Sequence, residues 1–193
     1  YTTLFRSAKR DEQIARHAKH NNTEYNLEPD LKNAPGGLRD IQTIGWVAKR
    51  HFGADTLRDL VSHGFITEAE FMELDECQCV IWRIRFALFV VSGRSDTRIL
   101  FDYQRRMAEL FGYGDSQANH GVERLMQDYY RAAMRISMLN EMLLRYFDEA
   151  ILGEDESAPV VELNSRFQLR NGVIEVASED VFRRYPSALL EIF

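Results

Sequence analysis

Two consecutive glycines, Gly36 and Gly37, stand directly before a helical pattern that begins at Leu38. Paired glycines let the backbone bend tightly and leave the first N–H groups of the following helix uncovered. Those groups and the helix dipole favour a bound anion such as phosphate. Lys32 ahead of the bend and Arg39 in the first helical turn add full positive charge. Asp40 can stabilise the dipole or orient Arg39 through an ion pair. Lys32, Gly36, Gly37, Arg39 and Asp40 are therefore candidates for contacts to a nucleotide or phosphate. The alternative is a tight connection with solvated charges, because Gly-Gly turns are common. Glu28 and Asp30 lie two apart, so in an extended segment their carboxylates share a face. Such a pair can hold Mg²⁺ beside a triphosphate. The alternative is two solvated turn carboxylates, and Pro29 between them weakens a strand assignment.

Other residue types offer less. His17 and His20 are three apart on a helix, but a metal site needs further ligands and the sequence places none nearby. His51, His63 and His120 fall near helix ends, and no His-Asp dipeptide of the metal-phosphohydrolase kind occurs. Ser and Cys lack an elbow motif. Arg83 and Arg85 lie in the most apolar helix, where each must pair with an acid or line a polar pocket. Arg105, Arg106, Arg124, Arg131 and Arg135 add scattered cations, of which Arg131 and Arg135 are one helical turn apart.

The elements that position these residues are mostly helices. Apolar spacing predicts them over about 4–20, 38–52, 56–63, 67–92, 101–111 and 118–152. Leu4, Ala8, Ile14, Ala15 and Ala18 give the first a weak apolar stripe. Asn21-Asn22, Gly53, Gly64 and Gly112 are stops. Thr67-Glu68-Ala69-Glu70 has the capping-box spacing. The helix it opens is apolar nearly all round in its second half and is expected in the middle of a bundle. Asn140 interrupts the apolar stripe of the longest helix, either as a buried register-setting residue or as an exposed one. Tyr25 to Glu28 reads as short and extended. Gly153 to Pro159 reads as a linker. Phe167–Arg170, Asn171-Gly172 and Val173–Val176 read as a β-hairpin with a tight turn. Ser178-Glu179-Asp180-Val181 caps a short helix to about Arg184, and Pro186 sits at the first turn of a last one.

The chain has 193 residues, is 45% hydrophobic and 28% charged, and carries a net charge of −6. That composition is too apolar for a disordered chain, and its acidic balance argues against a dedicated nucleic-acid binder. Val80–Val91, interrupted by Arg83 and Arg85, is too short to span a bilayer. Cys77 and Cys79 point to different sides of one helix, which disfavours a disulfide and suits a reduced, cytoplasmic setting. Without an initiator Met or a signal-peptide plan, and stopping in mid-pattern, the chain reads as a piece of something longer. The expected fold is mainly α: a multi-helix bundle with one short extended segment near the N-terminus and a small β-hairpin near the C-terminus. Its divisions are residues 1–37, 38–153 and 154–193.

Leu27-Glu28-Pro29-Asp30-Leu31-Lys32 followed by Pro35-Gly36-Gly37-Leu38-Arg39-Asp40-Ile41-Gln42-Thr43-Ile44 resembles a segment of the bacterial bifunctional PII uridylyltransferase/uridylyl-removing enzymes. Agreement continues at Trp46–Gly53, Trp82–Leu88, Leu100–Arg105, Tyr129-Tyr130-Arg131 and Asn171–Val176, and so covers almost the whole chain. Glutamine synthetase adenylyltransferase has a related Gly-Gly-Ile-Arg-Asp segment with different flanks.

The resemblance implies a parent that transfers UMP from UTP to a Tyr of the PII nitrogen-signalling protein and removes it again. Transfer then uses Mg²⁺ and a nucleotidyltransferase fold, removal uses an HD domain, and glutamine acts as effector through ACT domains. The Gly-Ser…Asp-x-Asp motif that supplies the metal carboxylates is absent here; Gly93-Arg94-Ser95-Asp96 is a superficial echo. The HD and ACT portions are absent as well. Residues 1–37 then correspond to the close of the transferase core, 38–153 to its helical bundle, and 154–193 to a lead towards the HD domain. No catalytic residue is expected within the chain, Glu28 and Asp30 are weak metal candidates, and the chain alone is expected to be inactive. PII and UTP are the implied partners, with neither nucleic acid nor membrane. Two other readings remain: a non-catalytic helical interaction or regulatory module, and the equivalent region of an adenylyltransferase.

Overall fold

Apolar residues three and four apart settle into helices in the computed structural model, which describes residues 2–113, 120–152, 159–170 and 173–191. The helices are α1 (Thr2–Ala18), α2 (Leu38–Phe52), α3 (Asp59–Ser62), α4 (Glu68–Ser92), α5 (Phe101–Leu110) and α6 (His120–Leu152). Strands β1 (Val160–Glu162), β2 (Phe167–Arg170) and β3 (Val173–Val176) follow, then α7 (Val181–Arg184) and a 3-10 helix at Pro186–Glu191. The architecture is mainly α with a small antiparallel sheet near the C-terminus, as expected. Of the expected features, Ala118, most of the linker (153–158) and the Asn171-Gly172 turn lie outside the described residues.

Element ends follow from local chemistry. Asn21 and Asn22 take φ of 60° and 51° after α1, the left-handed region that Asn tolerates better than most residues. Gly53 closes α2 at φ 68°, its N–H donating to the Ala48 carbonyl. At the start of α4 the Thr67 hydroxyl accepts from the Glu70 N–H while the Glu70 carboxylate accepts from the Thr67 N–H. That reciprocal pair satisfies two otherwise orphaned donors and contributes about 1 kcal/mol.

The chain divides into two compact units, Tyr1–Phe147 and Asp148–Phe193. Residues 1–37 share a unit with the helices after them. In the first unit α2, α4, α5 and α6 surround one core that includes Leu38, Ile41, Ile81, Ile84, Leu88, Met107, Tyr129 and Ile136. A second aromatic contact joins Phe52, Phe65 and Phe147, with ring centroids 4.4–5.3 Å apart. Asn140 is buried on α6, so of its two expected environments the buried one is found.

Extended backbone occurs slightly later than Tyr25–Glu28. Leu31 N–H donates to the Thr97 carbonyl at 2.8 Å and Ile99 N–H to the Pro29 carbonyl at 2.9 Å, flanking an antiparallel bridge between Asp30 and Arg98. Pro29 lacks an N–H but keeps its acceptor, so the pairing runs past it.

Two expectations about buried faces are corrected. The apolar stripe of α1 does not face the core: Leu4 and Ile14 are largely exposed, and the buried positions are Gln13 and Arg16. A buried carboxylate recruits Arg16, as shown below, and that ion pair sets the rotation of α1 in place of its sparse apolar residues. Helix α4 is not central all round either. Ile81, Ile84, Ala87, Leu88 and Val91 are buried, whereas Trp82, Phe86, Phe89 and Val90 are exposed.

In the second unit β1, β2 and β3 form an antiparallel sheet in that order, with Val161 opposite Leu169 and Phe167 opposite Val176. Phe167, Val181 and Ala188 make its small core. The hairpin of β2 and β3 follows the predicted register. Strand β1 carries no signal in the sequence, because its three residues are exposed and show no alternation.

Candidate functional site

The Pro35-Gly36-Gly37 bend is buried and fixed by Asp40, whose side chain is fully buried. One Asp40 oxygen accepts from Arg16 Nη2 at 2.9 Å, and the other accepts from the Gly36 N–H at 2.8 Å. His17 Nε2 lies 3.0 and 3.1 Å from the two oxygens. An ionised carboxylate only accepts, so Nε2 carries the hydrogen. Arg16 also donates to the Asn33 carbonyl at 3.0 Å and to Glu12 at 3.2 Å. Helix α1 thereby reaches over the bend and closes it from outside, while α6 closes it from inside. A Cβ on Gly36, which sits at φ 71°, would lie 1.9 Å from the Ala133 carbonyl oxygen. Only glycine fits there, for steric and conformational reasons together.

The anion cradle expected of Gly36, Gly37 and the start of α2 is therefore corrected. The Gly36 N–H donates to Asp40, Gly37 to Ala34, Leu38 to Leu31, Arg39 to Lys32 and Asp40 to Gly37. Each amide already has a protein acceptor, and none is left to meet a phosphate. Asp40 does not orient Arg39. It takes Arg16 and His17 instead, partners 24 and 23 positions away in sequence. No local pattern announces such a contact. The only hint was an acid in the first turn of a helix whose neighbours are apolar.

Lys32 and Arg39 remain distinctive. The Arg39 N–H donates to the Lys32 carbonyl at 3.0 Å, so the two side chains spring from adjacent backbone. Both are partly exposed, and among the described residues neither makes an ion pair. Arg39 lies over the Trp46 ring at 5.4 Å and Lys9 over the same ring at 4.5 Å. Two cations against one half-exposed indole form a small positive surface between α1 and α2.

Glu28 and Asp30 are not free turn carboxylates. Asp30 accepts from the Lys32 and Asn33 N–H groups at 2.9 Å each, and from Asn33 Nδ2 and Thr97 Oγ1 at 3.1 Å each. Glu28 accepts from the Phe101 N–H at 3.0 Å, at the start of α5. Both carboxylates tie down backbone. No group of three or more His, Cys, Asp or Glu suited to a metal occurs among the described residues.

The remaining candidates disperse. His17 serves Asp40 and so does not pair with His20. Arg135 pairs with Glu73 on α4, and Arg131 lies 3.9 Å from Asp128, so no shared patch forms. Among the described residues Arg83 and Arg85 form no ion pair; they are laid over Phe111 and Trp82. Burial pushes the Cys77 thiol above its ordinary range, helped by Glu73, which leaves it a poor nucleophile. No helix among the described residues is long and apolar enough to cross a membrane.

Comparison with known proteins adds a direct line. A family model described as GlnD PII-uridylyltransferase matches residues 5–144. Proteins named bifunctional uridylyltransferase/uridylyl-removing enzyme are similar to this chain. Those of Stutzerimonas stutzeri and of Pseudomonas aeruginosa strain LESB58 are 53% and 54% identical over 96% of it, and that of Ectopseudomonas mendocina is 52% identical over 98%. The chain spans about a fifth of the length of these curated relatives, 21% in each. No solved structure matches it. The residues matched run from α1 through the buried bend and into α6, and on that ground the chain belongs to the GlnD PII-uridylyltransferase family.

Proposed function

We propose that the chain is the helical body of a nucleotidyltransferase that moves UMP from UTP onto a Tyr of a PII signalling protein, and that it contributes cations, not backbone amides, to the nucleotide site. The observation that carries this reading is the pairing of Lys32 and Arg39 on hydrogen-bonded backbone with no carboxylate partner. A transferase must neutralise charge that shifts between phosphate oxygens, and cations held in place supply this without reorganising. The Asp40 network fixes the backbone from which both cations leave. Family membership and the names of the relatives support the reaction class. They set aside the adenylyltransferase reading.

Mg²⁺ does not fit the residues described here. The carboxylates of Glu28 and Asp30 are committed to backbone N–H groups, so metal ligands must come from elsewhere in the longer polypeptide. Regulation by glutamine, removal of UMP by the same polypeptide and a cytoplasmic location belong to this proposal as properties of the whole enzyme.

A second reading is favoured by the fully occupied amides: the bundle is a scaffold or interaction module that never touches nucleotide. Arg39→Ala in the full-length enzyme separates the two. The proposal expects UMP transfer to fall by roughly tenfold or more, about 1.4 kcal/mol or above, with the folded state intact by circular dichroism. Unchanged transfer by a folded variant rejects the role of Arg39 and leaves the scaffold.

A further inference from the structure

The exposed side of α4 has no use in the site above. Trp82, Phe86, Phe89 and Val90 are 48%, 70%, 53% and 52% exposed on one helix. Together with Leu110 at the end of α5 and Phe111 just after it, three of them line an open groove of about 700 Å³ whose other residues are Arg83 and Ala87. A run of large apolar side chains of this kind marks an interaction surface. The helix that carries them is one of the two longest in the chain, its ends are fixed by the Thr67 capping box and by Gly93, and its opposite side is anchored in the core. The groove is thus a rigid feature of the first unit.

We infer that this groove is filled by another part of the same, longer polypeptide, through an apolar segment flanked by carboxylates. Two observations choose that occupant. The first is length: the chain spans 21% of its relatives, so most of the polypeptide in which it is embedded lies outside these residues. The second is charge. Arg83 lies over Phe111 and Arg85 over Trp82, neither guanidinium makes an ion pair among the described residues, and no carboxylate lines the groove. Arg83 in the groove, which also borders a neighbouring cavity with Asp128, and Arg85 beside it over Trp82 give this face a positive rim that suits acidic groups beside an apolar insert. The same charge disfavours a second copy of this chain. A two-fold interface would set the patch against itself and bring cations from both copies to a groove whose lining offers no carboxylate to answer them. The inference rests on the family reading only in taking the chain as part of a longer enzyme.

The test places the photocrosslinker p-benzoylphenylalanine at position 86 of the full-length polypeptide, where the side chain is the most exposed of the four. Irradiation followed by mass spectrometry is expected to give an intramolecular link from position 86 to a segment outside these 193 residues, with Asp or Glu close to the linked site. Arg83→Glu combined with Arg85→Glu is expected to cut the yield of that link severalfold, and Arg83→Lys with Arg85→Lys to preserve it. A link to a second copy, a link only to an added PII protein, or no link at all overturns the inference. UMP transfer measured on the same labelled protein keeps the two claims apart: active enzyme without an intramolecular link rejects this docking and leaves the proposed function standing.

Discussion

Asp40→Asn changes one atom of a fully buried side chain, and the structure sets the size of the effect. Three donors, Arg16 Nη2, His17 Nε2 and the Gly36 N–H, converge on two carboxylate oxygens. The amide keeps one oxygen and turns its NH₂ group towards a donor. Arg16, only 8% exposed, loses its buried counter-charge. Breaking one side of a buried pair typically costs 3–5 kcal/mol because the other charge is stranded. Arg16 retains the Asn33 carbonyl and the more exposed Glu12, which lowers the expected loss to about 2–4 kcal/mol. A first unit of this size then melts roughly 6–12 °C lower for a loss near 3 kcal/mol. Urea unfolding followed by tryptophan fluorescence reports on this unit, since Trp46 is on α2 and Trp82 on α4. A double-mutant cycle with Arg16→Met isolates the pair, and the coupling is expected to exceed about 1 kcal/mol. An Asp40→Asn protein within about 0.5 kcal/mol of the parent, or effects of Arg16→Met and Asp40→Asn that simply add, refutes the claim that this ion pair holds the bend.

Gly36→Ala and Gly53→Ala separate packing from backbone strain. Both glycines have positive φ, 71° and 68°, but a Cβ meets the Ala133 backbone at the first and nothing within 4 Å at the second. Chemical denaturation is expected to show a loss of about 1 kcal/mol for Gly53→Ala and about 2–5 kcal/mol for Gly36→Ala, strain and overpacking combined. Equal losses would mean that α6 does not press on the bend. Tyr129 is buried and its hydroxyl has no hydrogen-bond partner among the described residues, so Tyr129→Phe is expected to be neutral or to stabilise by up to about 1 kcal/mol. Burial raises the Tyr129 phenol above its ordinary range. The unfolded chain therefore releases that proton first as pH climbs past about 10, and the parent is expected to lose stability there faster than the Phe variant does.

Local rules made most of the fold legible. Helix α2 begins and ends where Gly37 and Gly53 predict, α4 starts on its capping box, and the stripe of α6 from Met126 through Phe147 is buried as its spacing requires. The β2–β3 pairing followed from alternation. Failures came where a distant partner overrode a local preference. The rotation of α1 departs from its apolar stripe because Arg16 is drawn inward by Asp40, a contact between residues 24 apart. The exposed side of α4 was missed because an all-round apolar helix looks central in any single sequence; periodicity records what a residue prefers to touch, not whether the partner lies within the same stretch of chain.

The bend shows the same division between residue chemistry and residue use. A Gly-Gly-Leu-Arg-Asp run before a helix predicts free amides, a local cation and an acid that serves it, yet here the amides and the acid both have structural assignments. Gly36 is glycine because Ala133 leaves no room for a Cβ. The Gly36 amide belongs to Asp40, and Asp40 belongs to α1. Of the charged residues in the run, only Arg39, with Lys32 beside it, is left without a carboxylate. In the proposed role the backbone beneath this pair is already fixed by the Asp40 network, so its ordering is met during folding and not during binding. On the proposed function, Asp40 acts only through the backbone that it holds. Its loss is expected to appear as instability and misplacement of Lys32 and Arg39 together, whereas loss of Arg39 alone leaves the fold as it was.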